Sequence, residues 1–279
     1  MIIRSLLKDA GKKINPADAE LLLSSALGIT KLLMIMEPEK QVSPDQESAF
    51  RELVARRLKH EPVAYLTGQK DFFGLTFQVA PGVLIPRPET ETMVELALEH
   101  LRFCKRRHTV IDIGTGSGAI ACALAANSGE KILATEFSPV AFKIARENIK
   151  RLGFANRIEL LPGNGLAPAL SKHAFKEAEE LIILANLPYI PTRDWEKLMP
   201  DVKDFEPREA LDGGADGLDL YRVLLNQLED IKKPMRVIME IDPSQTESLP
   251  KEIIKRFPDA EITTYKDLAN LNRFIIFTK

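Results

Sequence analysis

Only two cysteines, Cys104 and Cys122, occur in 279 residues, which leaves no disulfide framework and no expected thiolate metal site. The four histidines, His60, His100, His108 and His173, show no ligand spacing, so all are expected in surface or structural roles. No apolar run is long enough to span a bilayer, and Met1-Ile2-Ile3-Arg4 does not lead into a signal peptide. A cytoplasmic location without membrane association is therefore the expectation. No heptad pattern calls for an obligate assembly, so a monomer is expected. Net charge is nearly absent, −2 with a pI near 6.2. That balance argues against a broad nucleic-acid footprint, and the basic patch Lys105-Arg106-Arg107-His108 reads as a solvated helix end. The hydrophobic fraction of 45% is ordinary for a globular chain holding one large domain and a smaller one.

The feature richest in chemistry is Asn186-Leu187-Pro188-Tyr189, directly after the apolar run 181–185. An Asn side-chain oxygen and a neighbouring backbone carbonyl can both accept from one planar NH₂, while a Tyr ring covers its flat face. Pro188 helps hold the two acceptors convergent. An NH₂ on a carbonyl or heteroaromatic carbon is a poor nucleophile, so an enzyme that modifies it must orient the nitrogen towards an electrophile. Read by itself, the tetrapeptide would be taken as a strand-ending turn with a packed Tyr.

A source of electrophile is suggested upstream. Thr109 to Ile113 reads as a buried strand, and it enters Gly114-Thr115-Gly116-Ser117-Gly118 and then a helical stretch, Ala119 to Ala126. Alternate glycines let the backbone turn tightly and approach a ligand. A second strand, Ile132 to Glu136, ends in an acid 22 residues after Gly114, where a doubly wound fold presents a carboxylate to ribose hydroxyls. Gly114, Gly116 and Ala119 also satisfy the looser dinucleotide fingerprint, but nothing in the chain obviously supplies the acid or base that hydride chemistry needs. S-adenosylmethionine, whose thioether leaves readily, fits a site that mainly positions a nucleophile.

Residues 1–62 read as a helical domain without a catalytic constellation, suited to recognising a macromolecular partner. Asn15-Pro16-Ala17-Asp18 starts a helix that Gly28 closes, and Ser43-Pro44-Asp45-Gln46 opens another with a capping box; Phe50, Leu53, Val54 and Leu58 give that helix its apolar stripe. Leu32, Leu33, Ile35 and Met36 suggest a short helix between them, with these side chains in the core. Residues 63–90 read as a β-hairpin linker. In it Phe73, Leu75, Phe77 and Val79 alternate, Pro81-Gly82 turns, and Val83-Leu84-Ile85 returns. Pro86 and Pro88 hold Arg87 and Glu89 extended, either pointing into the cofactor cleft or as solvated charges on a rigid linker. Residues 91–279 alternate strands and helices, and seven strands imply an α/β, doubly wound, Rossmann-like sheet. Its ligands would lie beyond the strand ends, where the glycine loop, Glu136, Asn164 and Asn186 all fall.

Taken together, these segments resemble the protein-glutamine N5-methyltransferases that modify bacterial-type peptide release factors, the HemK family. The resemblance runs from about Pro62 to the C-terminus, with a family-like helical domain before it. It is carried by Pro62-Val63-Ala64-Tyr65-Leu66-Thr67-Gly68, Ile85-Pro86-Arg87-Pro88-Glu89-Thr90-Glu91, Asp112 to Gly118, Asn186 to Ile190, Glu206 to Leu211, Gly213 to Leu218, and Arg273. It implies that Gly114, Thr115, Gly116, Ser117 and Gly118 line an S-adenosylmethionine site, that Glu136 holds the ribose, and that Asn164 lies near the adenine. It further implies that Asn186, Leu187, Pro188 and Tyr189 bind the glutamine of the Gly-Gly-Gln motif in class 1 peptide chain release factors. The chain departs from the family pattern in three places, since Asp is usual at positions 136 and 164 and Pro at 187. Glu136 keeps a carboxylate, Asn164 loses the charge, and Leu187 still offers a backbone carbonyl. Two other readings stay open: an adenine-N6 or cytosine-N4 nucleic-acid methyltransferase, and a binding module without catalysis.

Overall fold

The computed structural model describes residues 1–279, which form two compact units, Met1–Gln69 with Met199–Phe205 and Lys70–Leu198 with Glu206–Lys279. No helix is long and apolar enough to cross a membrane.

The first unit contains helices Ile3–Ala10, Pro16–Leu27, Lys31–Met36, Pro44–Arg57 and Val63–Thr67. Asn15 accepts from the Ala17 N–H, Pro16 takes the first helical position, and Gly28 ends that helix at φ 64°. Ser43 and Gln46 cap the fourth helix reciprocally. Ile3, Leu6, Leu22, Leu23, Phe50 and Leu66 share the core. The unit continues past residue 62 because Val63–Thr67 is a helix whose Leu66 joins that core. Its second segment, Met199–Phe205, supplies Asp201, which lies 3.9 Å from Arg57. The expected burial of Leu32, Leu33, Ile35 and Met36 needs correction. Leu32, Ile35 and Met36 are 66%, 74% and 70% exposed, and Met34 is the buried residue of that helix. A helix of six residues makes less than two turns, so few of its positions can face a core.

In the second unit a two-stranded ribbon, β1 (Gln69–Phe72) and β2 (Leu75–Gln78), precedes a seven-stranded sheet. The hairpin turn lies at Phe73-Gly74, not at Pro81-Gly82, and Val83–Ile85 forms no strand. Both turn residues have positive φ, 49° and 75°, as a two-residue turn matched to strand twist requires. Phe is rarely found in that conformation, which hid the turn from a reading based on Pro and Gly.

The sheet comprises β3 (His108–Ile113), β4 (Ile132–Glu136), β5 (Ile158–Pro162), β6 (Glu180–Ala185), β7 (Met235–Glu240), β8 (Glu261–Lys266) and β9 (Asn272–Thr278). Their order is β5-β4-β3-β6-β7-β9-β8, and β9 alone runs antiparallel to both its neighbours. Alternate residues feed two cores. Ile111, Ile113, Leu181, Ile183 and Val237 pack with Leu224, Leu225, Leu249 and Ile253 from helices Asp219–Glu229 and Ser248–Arg256. Val110, Ile132, Ile182, Leu184 and Ile238 pack with Met93, Val94, Ala97 and Leu124 from helices Glu91–Phe103 and Ala119–Asn127. Burial on both faces explains why the inner strands are apolar runs rather than alternations. Strand order reverses between β3 and β6, which pair in parallel with Ile113 opposite Ala185. The next residues, Gly114 and Asn186, therefore leave the sheet side by side at its switch point.

Candidate active site

A cavity of about 940 Å³ opens beyond the carboxyl ends of the central strands. Its lining includes Gly114, Thr115, Gly116, Ser117, Glu136, Asn164, Asn186, Leu187 and Pro188, so residues spread over 75 positions share one space. Gly118 is not part of the lining. It sits at φ 84° against helix Pro139–Arg151, where a Cβ would lie 3.6 Å from the Ala145 backbone. Tyr189 faces a small adjoining recess, which it shares with Leu84, Arg87, Asn186, Ile190, Ala210 and Leu211. Arg87 lines the cavity and pairs with the buried Glu206 carboxylate, whereas Glu89 is exposed and outside the lining.

The glycine loop is bent by its own hydrogen bonds. Gly114 and Gly116 take φ 68° and 60°, the Thr115 N–H donates to the Thr135 carbonyl at 3.0 Å, and the Gly116 N–H donates to Glu136 Oε2 at 2.8 Å. Glu136 Oε1 accepts from the Ser138 N–H at 2.8 Å. Burial raises the Glu136 pKa, and these backbone donors oppose the rise. Asp112, the last-but-one residue of β3, is fully buried, and Oδ2 accepts from Thr115 Oγ1 at 2.5 Å and from the Ala121 N–H at 3.1 Å. Its other oxygen has no partner. Burial pushes Asp112 up to about 7, against the pull of Thr115 and Ala121. Asn148 joins the loop to the hairpin: Oδ1 accepts from the Gln78 N–H at 2.8 Å, and Nδ2 donates to the Gln78 and Ser117 carbonyls, both at 2.9 Å.

The tetrapeptide packs onto that loop. A Cβ on Gly114 would lie 3.2 Å from Leu187 Cδ2, so the glycine is what lets the Leu187 side chain seat there. Leu187 is buried in the same core cluster as Tyr221. Tyr221 in turn donates to the Glu240 backbone carbonyl. The turn is thus held by the packing of Leu187 as well as by the Pro188 ring. Asn186 Nδ2 donates to Thr90 Oγ1 at 3.1 Å, and Thr90 Oγ1 donates to Glu240 Oε2 at 2.7 Å. The Tyr189 hydroxyl donates to Glu240 Oε1 at 3.1 Å. Burial, helped by the Glu240 charge, raises the Tyr189 pKa well above the ordinary tyrosine value, so the phenol stays protonated. Asn186 Oδ1 and the Leu187 carbonyl accept no bond within the chain.

Several site residues escape a motif-by-motif reading. Thr90 and Glu240 are 150 positions apart and only the fold joins them. Phe137 follows Glu136, lines the cavity and is 74% exposed, so an aromatic directly after the acidic strand end was the available signal. His100 and Cys104, assigned no ligand spacing above, converge on Glu180 Oε2 at 3.3 and 2.9 Å. They satisfy a buried carboxylate at the start of β6, the end of that strand away from the cavity.

The observed donors and space fit S-adenosylmethionine. Glu136, Asn164 and the exposed Phe137 line the same cavity as the glycine loop, a polar and aromatic set suited to the ribose and adenine of such a ligand, and the glycine backbone leaves room that side chains would fill. Sheet order, loop and switch-point cavity together define an S-adenosylmethionine-dependent methyltransferase.

Comparison with known proteins narrows this class. Residues 2–68 match the PrmC N-terminal domain family, and residues 88–205 match the ribosomal protein L11 methyltransferase (PrmA) family. The release factor glutamine methyltransferase of Geobacter sulfurreducens is 40% identical over 248 residues, covering 88% of this chain and 84% of its own. That of Caulobacter vibrioides is 35% identical over 279 residues, covering 98% and 92%. Among solved structures, the human METTL16 catalytic domain with a MAT2A 3'UTR hairpin superposes with a TM-score of 0.58 at 17% identity, over 81% of this chain and 80% of that one. The METTL16 N-terminal domain with SAH gives 0.52 at 18%, over 82% and 83%. These two share the fold. The chain belongs to the release factor glutamine methyltransferase family, and it is a protein glutamine methyltransferase that uses S-adenosylmethionine.

Proposed function

We propose that the enzyme methylates the side-chain amide nitrogen of the glutamine in the Gly-Gly-Gln motif of class 1 peptide chain release factors. The observation that carries this reading is the pair of free acceptors, Asn186 Oδ1 and the Leu187 carbonyl, beside the glycine loop at the β3/β6 switch point. The relatives' name, release factor glutamine methyltransferase, supports the substrate class. Bound S-adenosylmethionine supplies a methyl group on a sulfonium whose thioether is a good leaving group. Gly114, Thr115, Gly116 and Ser117 would surround that cofactor, Glu136 would accept from its ribose, and Asn164 and Phe137 would border its adenine.

Asn186 Oδ1 and the Leu187 carbonyl would each accept one amide N–H, which turns the nitrogen lone pair towards the donor carbon. Tyr189 would cover the amide from the recess side. As that methyl group passed from sulfur to nitrogen, the same two acceptors would stabilise the positive charge developing on the amide nitrogen. The surplus proton becomes acidic only after alkylation and leaves to water, so no strong base is needed beforehand.

The test is to incubate the enzyme with labelled cofactor and candidate release factors and to map the label by mass spectrometry. One added methyl on the Gly-Gly-Gln glutamine is expected. Label on another residue, or on added DNA or RNA in its place, would overturn the assignment.

A further inference from the structure

We propose that Glu240 is a positioning residue that decides which end of the Asn186 amide faces the substrate, acting through the Thr90 hydroxyl. The inference rests on the reading that Asn186 receives the glutamine amide, and it explains how that residue is made ready for the task.

An Asn side chain has two ends of almost equal size, one accepting and one donating, so packing alone barely distinguishes them. Hydrogen-bond polarity does. Glu240 is 1% exposed at the end of β7, and each of its two carboxylate oxygens accepts from a hydroxyl. It takes the Thr90 proton at 2.7 Å and the Tyr189 proton at 3.1 Å. Thr90 has a single hydroxyl proton, and once that proton is committed to Glu240 its oxygen can only accept from further partners. The neighbour at 3.1 Å is the Asn186 side chain, which must therefore present its NH₂. Oδ1 is left for the cavity. Turned over, the amide would set two acceptors against each other beside the buried Thr90.

The polarity runs in one direction, from carboxylate through hydroxyl to amide, and it starts where Glu240 Oε2 takes the Thr90 proton. Burial raises the Glu240 pKa, and the Thr90 and Tyr189 donors and the nearby Arg273 oppose the rise. Arg273, joined to Asp267 at 3.2 Å and to the Ile241 carbonyl at 3.4 Å, thereby gains a part in the arrangement. Glu240 also holds the Tyr189 ring by its hydroxyl, so one carboxylate orients two members of the tetrapeptide.

The experiment compares Thr90→Val, Thr90→Ser, Glu240→Gln, Asn186→Ala and the double variant Thr90→Val/Asn186→Ala in methyl transfer to a release factor. Cofactor affinity is measured by calorimetry and folding by thermal melting. Thr90→Val keeps the shape and loses the hydroxyl, so kcat is expected to fall roughly ten- to a hundredfold with cofactor affinity unchanged. Thr90→Ser should restore most of the rate. Glu240→Gln can donate to the Thr90 oxygen and release its proton towards Asn186, and it should resemble Thr90→Val. Because replacing a buried carboxylate can unfold the chain, the Thr90 pair decides if Glu240→Gln melts early. The double variant should be no slower than Asn186→Ala alone, since both losses act on one amide. Wild-type kcat in Thr90→Val beside an impaired Asn186→Ala, or additive losses in the double variant, would overturn the inference and leave the role of Asn186 standing. Full activity in Asn186→Ala would instead remove the reading beneath it.

Discussion

Asp112 shows how one residue can link stability and pH. Its carboxyl has an ordinary pKa of 3.8 and rises to about 7 in the fold, chiefly through burial. The folded chain thus holds this proton more tightly than the unfolded chain. The resulting stabilisation is fully present below about pH 3.8 and is lost as the pH rises through 7. Asp112→Asn, which cannot ionise, should escape that loss. In urea unfolding without cofactor, the variant should gain on the wild type between pH 5 and pH 8, by at most about 3 kcal/mol. A stability difference that stays constant across this range would mean that Asp112 does not titrate there. At this scale the sequence was legible where chemistry is local: Glu136 and Asn186 could be singled out from strand ends and spacing. The unpartnered Asp112 oxygen and the Thr90–Glu240 bond could not, because both depend on which side chains the fold brings together.

The contact between the glycine loop and the tetrapeptide sets the requirement at position 114. Gly114→Ala meets two obstacles, a left-handed φ of 68° and Leu187 Cδ2 at 3.2 Å from the added carbon. The backbone penalty alone is about 1 kcal/mol. Displacing Leu187 would also disturb the turn that carries Asn186. Calorimetry should show weaker S-adenosylmethionine binding in Gly114→Ala and partial recovery in Gly114→Ala/Leu187→Ala, where the steric obstacle is gone but the backbone one remains. No recovery would mean that φ alone accounts for the glycine. Elements with a strong local signal were readable in advance: the capped helices Pro16–Leu27 and Pro44–Arg57, and the apolar inner strands. The Phe73-Gly74 turn was not, since its geometry is imposed by the strands on either side of it. Helix Lys31–Met36 misled for a related reason, because apolar composition does not show that a partner surface exists within the chain.

At the scale of the whole molecule, every residue lining the large cavity belongs to the second unit, while the first unit takes in both Met1–Gln69 and Met199–Phe205. Deleting residues 1–69 should therefore leave cofactor affinity within a few-fold of wild type and abolish methylation of the release factor. It should also expose Met199–Phe205, whose Asp201 would lose Arg57, and limited proteolysis should cut there first. Cofactor binding lost together with the thermal transition would show that the second unit does not fold alone. The chain passes between the units at three places, 69/70, 198/199 and 205/206. A unit threaded in this way cannot move between genes as a single terminal cassette. Exchange of the helical unit between relatives would require two separate stretches of coding sequence to be replaced together, so that unit's N-terminal part and the short segment after the tetrapeptide are expected to be inherited as a pair.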